Sequence, residues 1–253
     1  MNHEEIIQRL IPCVLQAGDK IMEIYSENFD TQYKKDGSPV TEADYAAEKI
    51  ILAELNRINA NILVISEENQ SSHIEKPKDT FFLVDALDGT KEFLNRKSNG
   101  GFTVNIGLIE NKIPVLGIVY APALRRLFYG SIKSGAREKA DGKTKVISVK
   151  KSENKGLVAV ASASHRDKET NNWLKKKNIE TIVSIGSSLK FCLVATGEAD
   201  VYPRFSPTME WDTAAGDAIL RAAGGTITEP DLSEFNYGKS NYINGPFIAW
   251  GKV

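Results

Sequence analysis

Phe82-Leu-Val-Asp-Ala-Leu-Asp-Gly-Thr90 runs from an apolar stretch straight into two carboxylates three residues apart. Asp85 and Asp88 at the end of a buried strand, on one tight turn, repel each other by roughly 1–4 kcal/mol at effective dielectrics between water and a protein surface. A hard cation reverses that sign, and carboxylates with a nearby carbonyl are what Mg²⁺ takes. Gly89 lets backbone approach a ligand closely, and a short helix over Lys91–Asn95 would turn its first amides toward a phosphate. Metal and phosphate on one turn is the arrangement for metal-assisted phosphoryl hydrolysis, in which Thr90 and a carboxylate such as Asp44 would orient the attacking water.

Three more carboxylates stand at element ends, where ligands gather in α/β sheets: Asp44, Glu67 and Asp212. Each has a plainer reading. Asp44 completes a Thr41-x-x-Asp capping box, Asp212 complements a helix dipole, and Glu67 beside Glu68 makes a solvated pair. Lys190, among Leu189, Phe191 and Leu193, is either a point cation for a second phosphate or a helix lysine reaching outward to solvent. Gly186-Ser-Ser188 offers donors beside it. With only His3, His73 and His165 in the chain, a histidine-based dinuclear centre has too few ligands.

The elements that must position these groups follow from periodicity. Ile6, Ile7, Leu10, Ile11, Val14, Ile21 and Met22 mark a first amphipathic helix, and Ala47, Ile50, Ile51 and Leu55 a second, capped at Thr41. Asn61–Ile65 and Phe81–Val84 read as strands. Phe102–Ile109 and Ile113–Tyr120 flank a hairpin turn at Glu110-Asn-Lys112, with a third strand at Arg126–Tyr129. Residues 130–156, rich in Lys, Gly and Ser, read as the passage between two lobes. Beyond them, strands near Leu157–Ala161, Thr181–Ser184 and Ala199–Tyr202 alternate with helices near Lys168–Lys177, Ser188–Ala195 and Thr213–Ala223. The pattern is α/β, with an α+β first half.

The chain's 253 residues are enough for a large core, and 42% hydrophobic with 26% charged is an ordinary globular balance. A net charge of -1 gives no basic surplus for a nucleic-acid polymer, and Lys175-Lys-Lys177 reads as a solvated helix face. Cys13 and Cys192, each in an apolar helical pattern, read as buried free thiols. There is no signal-peptide pattern and no apolar run near the ~20 residues that span a bilayer. The chain reads as cytoplasmic, with peripheral attachment at the inner membrane and the oligomeric state left open.

Asp85-Ala-Leu-Asp-Gly-Thr90, Trp211-Asp-Thr-Ala-Ala-Gly216, Ser66-Glu-Glu68 and Asp36-Gly-Ser-Pro-Val-Thr-Glu-Ala-Asp44, spanning residues 36–216, resemble the inositol monophosphatase family of lithium-sensitive, Mg²⁺-dependent phosphatases. Within it, Thr90-Lys-Glu-Phe93, Phe102-Thr-Val-Asn-Ile106, Val119-Tyr-Ala-Pro122, Ser184-Ile-Gly-Ser-Ser-Leu-Lys-Phe-Cys-Leu-Val194 and Tyr202-Pro-Arg204 are most like the bacterial bisphosphate-nucleotidase branch. The resemblance implies one domain over 1–253 with a layered α-β-α-β-α fold: a lobe at 1–135 with the metal motifs and a lobe at 156–253 with the substrate residues. It implies two or three Mg²⁺ ions held by Glu67, Asp85, Asp88, Asp212 and the Leu87 carbonyl, with Asp44 and Thr90 activating water. Glu67, Gly89, Thr90, Ser162, His165, Gly186, Lys190 and Asp212 would contact substrate. The implied reaction removes the 3′-phosphate of adenosine 3′,5′-bisphosphate to leave AMP, in sulfur assimilation. Inositol 1-phosphate, fructose 1,6-bisphosphate and the 2′-phosphate of NADP are the alternative substrates. Ala86 departs from the family's Asp-Pro-(Ile/Leu)-Asp pattern, which implies slightly looser metal binding.

Two rival classes fit less well. Haloacid-dehalogenase-type phosphatases separate their paired acids by one residue, whereas Ala86 and Leu87 are two, and their acidic loop opens the fold. A non-enzymatic sensor would lack a ligand or the water-activating pair, yet all six residues are present.

Overall fold

The computed structural model describes residues 2–27, 31–33, 39–96, 100–151, 156–162 and 166–252. Helix α1 (His3–Ser26) starts at Asn2, whose side chain accepts from the Glu4 amide, and buries Ile6, Ile7, Leu10, Val14, Ala17 and Ile21. A short antiparallel pair, β1 (Thr31–Tyr33) and β2 (Pro39–Thr41), leads into α2 (Glu42–Asn59). Thr41 and Asp44 form the capping box that the sequence predicts there.

A seven-stranded sheet follows in chain order: β3 (Leu63–Ser66), β4 (Thr80–Asp88), β5 (Thr103–Glu110), β6 (Ile113–Ala121), β7 (Arg126–Ser131), β8 (Gly135–Ala140) and β9 (Lys143–Ile147). Only β3 and β4 pair in parallel. Along β4, Phe81 and Leu83 enter one core while Phe82 and Val84 enter another. A strand covered on both faces needs apolar residues at every position, which is why this run does not alternate. Within the stretch 130–156, expected as the passage between lobes, Gly135–Ala140 and Lys143–Ile147 are strands. Its β8 and β9 extend the first sheet to an edge where Lys143–Val146 face solvent, so its polar composition reflects an edge strand.

A short helix, α3 (Thr90–Leu94), leaves the end of β4. The second half contains β10 (Val158–Ser162), α4 (Lys168–Lys176), β11 (Thr181–Ile185), α5 (Leu189–Ala195), β12 (Val201–Arg204), β13 (Thr208–Met209), α6 (Ala214–Ala222), β14 (Thr226–Thr228), β15 (Ile243–Asn244) and β16 (Phe247–Trp250). Five of its strands form a sheet in the order β11-β10-β12-β16-β14, parallel where the α/β alternation holds and antiparallel where β16 enters; β13 and β15 pair separately. The C-terminal strands β14 and β16 have no counterpart in the sequence reading.

The layers are α-β-α-β-α. Helices α1 and α2 cover one face of the large sheet, and α5 and α6 lie between it and the smaller sheet. Helix α4 covers the outside through Leu174 and Trp173, the latter 5.6 Å from the Trp250 ring. Helix α6 sits unusually close to the large sheet because Gly107 and Gly117, cross-strand partners on β5 and β6, form its floor. A Cβ on Gly117 would lie 2.1 Å from the Ala215 carbonyl oxygen, and one on Gly107 would lie 2.8 Å from the Ala214 Cβ. That seating fixes the start of α6 and, immediately before it, Asp212.

Gly117→Ala therefore overpacks a contact with backbone, at a cost of about 3 kcal/mol. Urea titration of this variant should show a lower midpoint at an unchanged m-value. A wild-type midpoint would mean that α6 is not seated on the glycine pair.

Candidate active site

The two aspartates share a side of β4 because the strand is bulged. Asp85 faces Asn105 and Asp88 faces Thr103, so three steps on β4 match two on β5. In an unbroken strand, residues three apart point to opposite faces; the extra residue turns Asp88 back to the side of Asp85. What the sequence presents as a tight turn is this bulge, with Ala86 and Leu87 buried inside it. Both carboxylates line one cavity of about 460 Å³, within the range that holds small-molecule ligands.

Other elements bring further acids to the same place. Glu67 follows β3, its amide donating to the Val84 carbonyl at 3.1 Å, while the preceding Ser66 hydroxyl donates to the Glu48 carboxylate on α2. Asp212 ends a 3-10 turn, Glu210–Asp212, and its Oδ2 accepts from the Thr208 hydroxyl and, at 2.9 Å, from the Met209 amide. The turn is anchored by Glu210, fully buried, which accepts from the amides of Gly238 and Lys239 and pairs with the Lys239 ammonium at 2.9 Å. Carboxylate oxygens of Glu67, Asp85 and Asp212 come within 4.8 Å of one another.

Asp44 serves two partners. Its Oδ2 accepts from the amide and hydroxyl of Thr41 at 2.7 and 2.8 Å, which is the cap. Its Oδ1 accepts from the Thr90 hydroxyl at 3.3 Å, and that hydroxyl also reaches the Leu87 carbonyl at 3.2 Å. Gly89, at φ +92, adopts a left-handed conformation that L side chains rarely take, and a Cβ there would meet the Gly101 carbonyl oxygen at 3.0 Å.

At an effective dielectric of about 20, each like-charged pair at 4.8 Å repels by about 3 kcal/mol. Three such pairs rival the whole stability of a typical fold, about 5–15 kcal/mol. The aspartates respond by holding protons more tightly. Burial, then Glu67, Asp88 and Asp212, pushes Asp85 well above the carboxylate range. Burial and Asp212 push Asp88 up to about 8, against the pull of Lys190 and the Ser188 amide. Asp212 is pushed up to about 6 by burial and Glu67, against hydrogen bonds from Thr208 and Met209.

The same cavity contains cations. Lys190 is 3% exposed, so it is not a helix lysine reaching to solvent. Its ammonium donates to the carbonyls of Ser187 at 2.5 Å and Ile185 at 3.4 Å and lies 5.2 Å from the Tyr202 ring centroid. Burial pulls it down to about 8, while Asp88 opposes that fall. Arg204 lines the cavity too, its guanidinium held by the Ser206 and Pro207 carbonyls.

Of the residues expected to act, Glu67, Asp85, Leu87, Asp88, Gly89, Thr90, Ser162, Lys190 and Asp212 line this cavity. Asp44 stands behind Thr90. Gly186 packs against Gly101 and Glu92, where a Cβ would lie 2.6 Å from the Gly101 carbonyl oxygen, and is not among the lining residues. His165, and residues 36–38 of the upstream motif, lie outside the described residues. Reading residues by type did not single out Arg204 or the buried Thr103 and Asn105 behind Asp88, and it took Ser188 only as a donor beside Lys190. A signal existed for two of them: Thr103 and Asn105 are polar residues two apart in an otherwise apolar strand.

The sequence matches the inositol monophosphatase family over residues 2–251, and the chain belongs to that family of metal-dependent phosphatases. It is 42% identical over 251 residues to the 3′(2′),5′-bisphosphate nucleotidase CysQ of Buchnera aphidicola, covering 97% of this chain and 93% of that protein. To the CysQ of Salmonella typhimurium it is 42% identical over 246 residues, covering 96% and 98%. Among solved structures, CysQ from Bacteroides thetaiotaomicron superposes with a TM-score of 0.86 at 39% identity, covering 100% of this chain and 99% of that one. The Thermotoga maritima IMPase superposes at 0.81 with 25% identity, covering 98% and 92%.

The raised carboxyls make metal-free stability depend on pH. Asp88 keeps its proton in the fold up to about pH 8 and Asp212 to about 6, whereas an ordinary aspartate loses it near 3.8. The folded state thus binds more protons across that window, so stability falls as pH rises through it. Lys190 acts in the opposite sense only above pH 8. Without metal, the melting temperature should fall from pH 5 to pH 8, and Mg²⁺ should raise it more at pH 8 than at pH 5. A melting temperature independent of both pH and Mg²⁺ would mean that the cluster is not strained by its charges.

Proposed function

We propose that the chain is a Mg²⁺-dependent 3′(2′),5′-bisphosphate nucleotidase that hydrolyses the 3′-phosphate of adenosine 3′,5′-bisphosphate, leaving AMP and phosphate. The observation that carries this reading is that one cavity contains both an acidic cluster and the cations Lys190 and Arg204. Its whole-length likeness to proteins named as nucleotidases supports the nucleoside part.

The donor set fits a hard ion: carboxylate oxygens of Glu67, Asp85 and Asp212, crowded together, with Asp88 and the Leu87 carbonyl in the same cavity, all of them oxygen. We assign two or three Mg²⁺ ions to it. Bound Mg²⁺ supplies positive charge to the phosphate oxygens and to the attacking water. The chain's own residues handle the proton. The Thr90 hydroxyl has Asp44 Oδ1 within reach, so with its proton turned to that oxygen, a water that gives its proton to Thr90 Oγ1 passes Thr90's proton on to Asp44. The water oxygen bonds to phosphorus as the bond to the ribose 3′-oxygen breaks, and the 3′-oxygen leaves with the bonding pair and takes a proton from solvent water to become the hydroxyl of AMP. Gly89 and Thr90 meet the scissile phosphate, and Lys190 and Arg204 the second one. Ser162 and His165 are assigned to the nucleoside, and Gly186 to shaping the turn before Lys190.

On this reading the two sheets mark two lobes, with the change from one to the other after Ile147, and the reaction takes place between them. No described helix is long and apolar enough to cross a membrane. Cys13 and Cys192 are buried and unpaired, which suits the reducing cytoplasm where we place the enzyme.

The test is a rate comparison with Mg²⁺ on adenosine 3′,5′-bisphosphate, inositol 1-phosphate and fructose 1,6-bisphosphate, each with and without Li⁺. The nucleotide should lead and Li⁺ should inhibit; a leading sugar phosphate would refute the nucleotidase reading. Charged hydrogen bonds contribute about 1.5–3 kcal/mol. Lys190→Ala should therefore lower kcat/KM for adenosine 3′,5′-bisphosphate by about 10- to 150-fold, and much less for adenosine 3′-monophosphate. Equal losses would remove Lys190 from the second phosphate.

A further inference from the structure

Asp88 is held by a group that lies 100 residues away in the chain. The Ser188 amide donates to Asp88 Oδ2 at 2.5 Å. The other end of the same peptide unit, the Ser187 carbonyl, accepts from the Lys190 ammonium at 2.5 Å. One peptide plane therefore lies between the acidic cluster and its neighbouring cation, with its N–H toward the carboxylate and its C=O toward the ammonium. Ser187 pays for this orientation with φ +55, a left-handed conformation for a residue that has a Cβ.

The plane is locked from behind. The Ser188 hydroxyl donates to Asn105 Oδ1 at 2.5 Å, and the Asn105 amide donates to Thr103 Oγ1 at 3.3 Å. Thr103 Oγ1 lies 2.9 Å from Ser188 Oγ. Because the single Ser188 proton is committed to Asn105, Thr103 is the donor in that last contact. The three side chains close a ring in which each bond polarises the next, and all three are 2% exposed or less. Asn105 and Thr103 are also the β5 partners of Asp85 and Asp88. The ring thus ties the bulge that presents the aspartates to the turn that presents Lys190.

We infer that Ser188 is a positioning residue: through its amide and its locked hydroxyl it holds Asp88 and Lys190 in one fixed relation, so that metal binding and recognition of a second phosphate depend on the same peptide. The recognition half of this inference rests on the function proposed above; the metal half does not.

Ser188→Ala keeps the amide and removes only the lock. Calorimetry should show Mg²⁺ bound about 10-fold more weakly than in wild type, the scale typical of partners that orient a ligand. The preference for adenosine 3′,5′-bisphosphate over adenosine 3′-monophosphate should shrink several-fold. Ser131→Ala removes another fully buried hydroxyl, which faces Ser134 and does not line the cavity. It should cost stability without moving Mg²⁺ affinity or substrate preference. Unchanged Mg²⁺ affinity in Ser188→Ala, or weakened Mg²⁺ binding with the preference intact, would overturn the inference. A wild-type enzyme with no preference for the bisphosphate would instead count against the proposed function, and the Mg²⁺ affinities would judge the positioning role alone.

Discussion

Repulsion among crowded carboxylates is the constraint on which the rest of this structure depends. Asp85, Asp88, Glu67 and Asp212 converge on one cavity from β4, from the end of β3 and from the turn before α6. Such a cluster is tolerable only when protons or cations neutralise it. The scaffold around it supplies rigidity, because without restraint these side chains would swing apart. The bulge turns two of them to one side, Glu210 and its partners fix the turn of Asp212, and Gly107 and Gly117 let α6 settle behind it. Substrate chemistry then uses what folding alone would avoid.

The layered fold serves the same end. The large sheet contributes Asp85 and Asp88, while the segment between β11 and β12 contributes Lys190 and the Ser188 amide. The cavity therefore exists only where the two sheets' elements meet, and hydrogen bonds such as Ser188 to Asp88 and Ser188 to Asn105 join them there. A substrate with charges at two separated points is suited to a site assembled from two sides.

Much of this was legible in the sequence because the signals were local. The uninterrupted apolar run before Asp85 marked a buried strand, Thr41 and Asp44 marked a cap, and Glu110-Asn-Lys112 marked a hairpin turn, where Asn111 and Lys112 indeed take positive φ. The bulge was not legible, since it is defined by which β5 residues lie opposite. Strand β9 was hidden because an edge strand is polar like a linker. The ring of Thr103, Asn105 and Ser188 joins residues more than 80 positions apart, beyond the reach of spacing rules. Lys190 was ambiguous in sequence because burial, not residue type, separates a snorkelling lysine from a trapped one.

If protons neutralise the metal-free aspartates of this cavity, an incoming cation must displace them. Calorimetric titration of the metal-free protein with Mg²⁺ at pH 7, in buffers of differing ionisation enthalpy, counts the protons released per protein. With Asp88 pushed up to about 8, Asp85 well above the ordinary range and Asp212 up to about 6, binding should release on the order of one proton or more. Mg²⁺ binding with no proton release would mean that the metal-free aspartates are already ionised at pH 7.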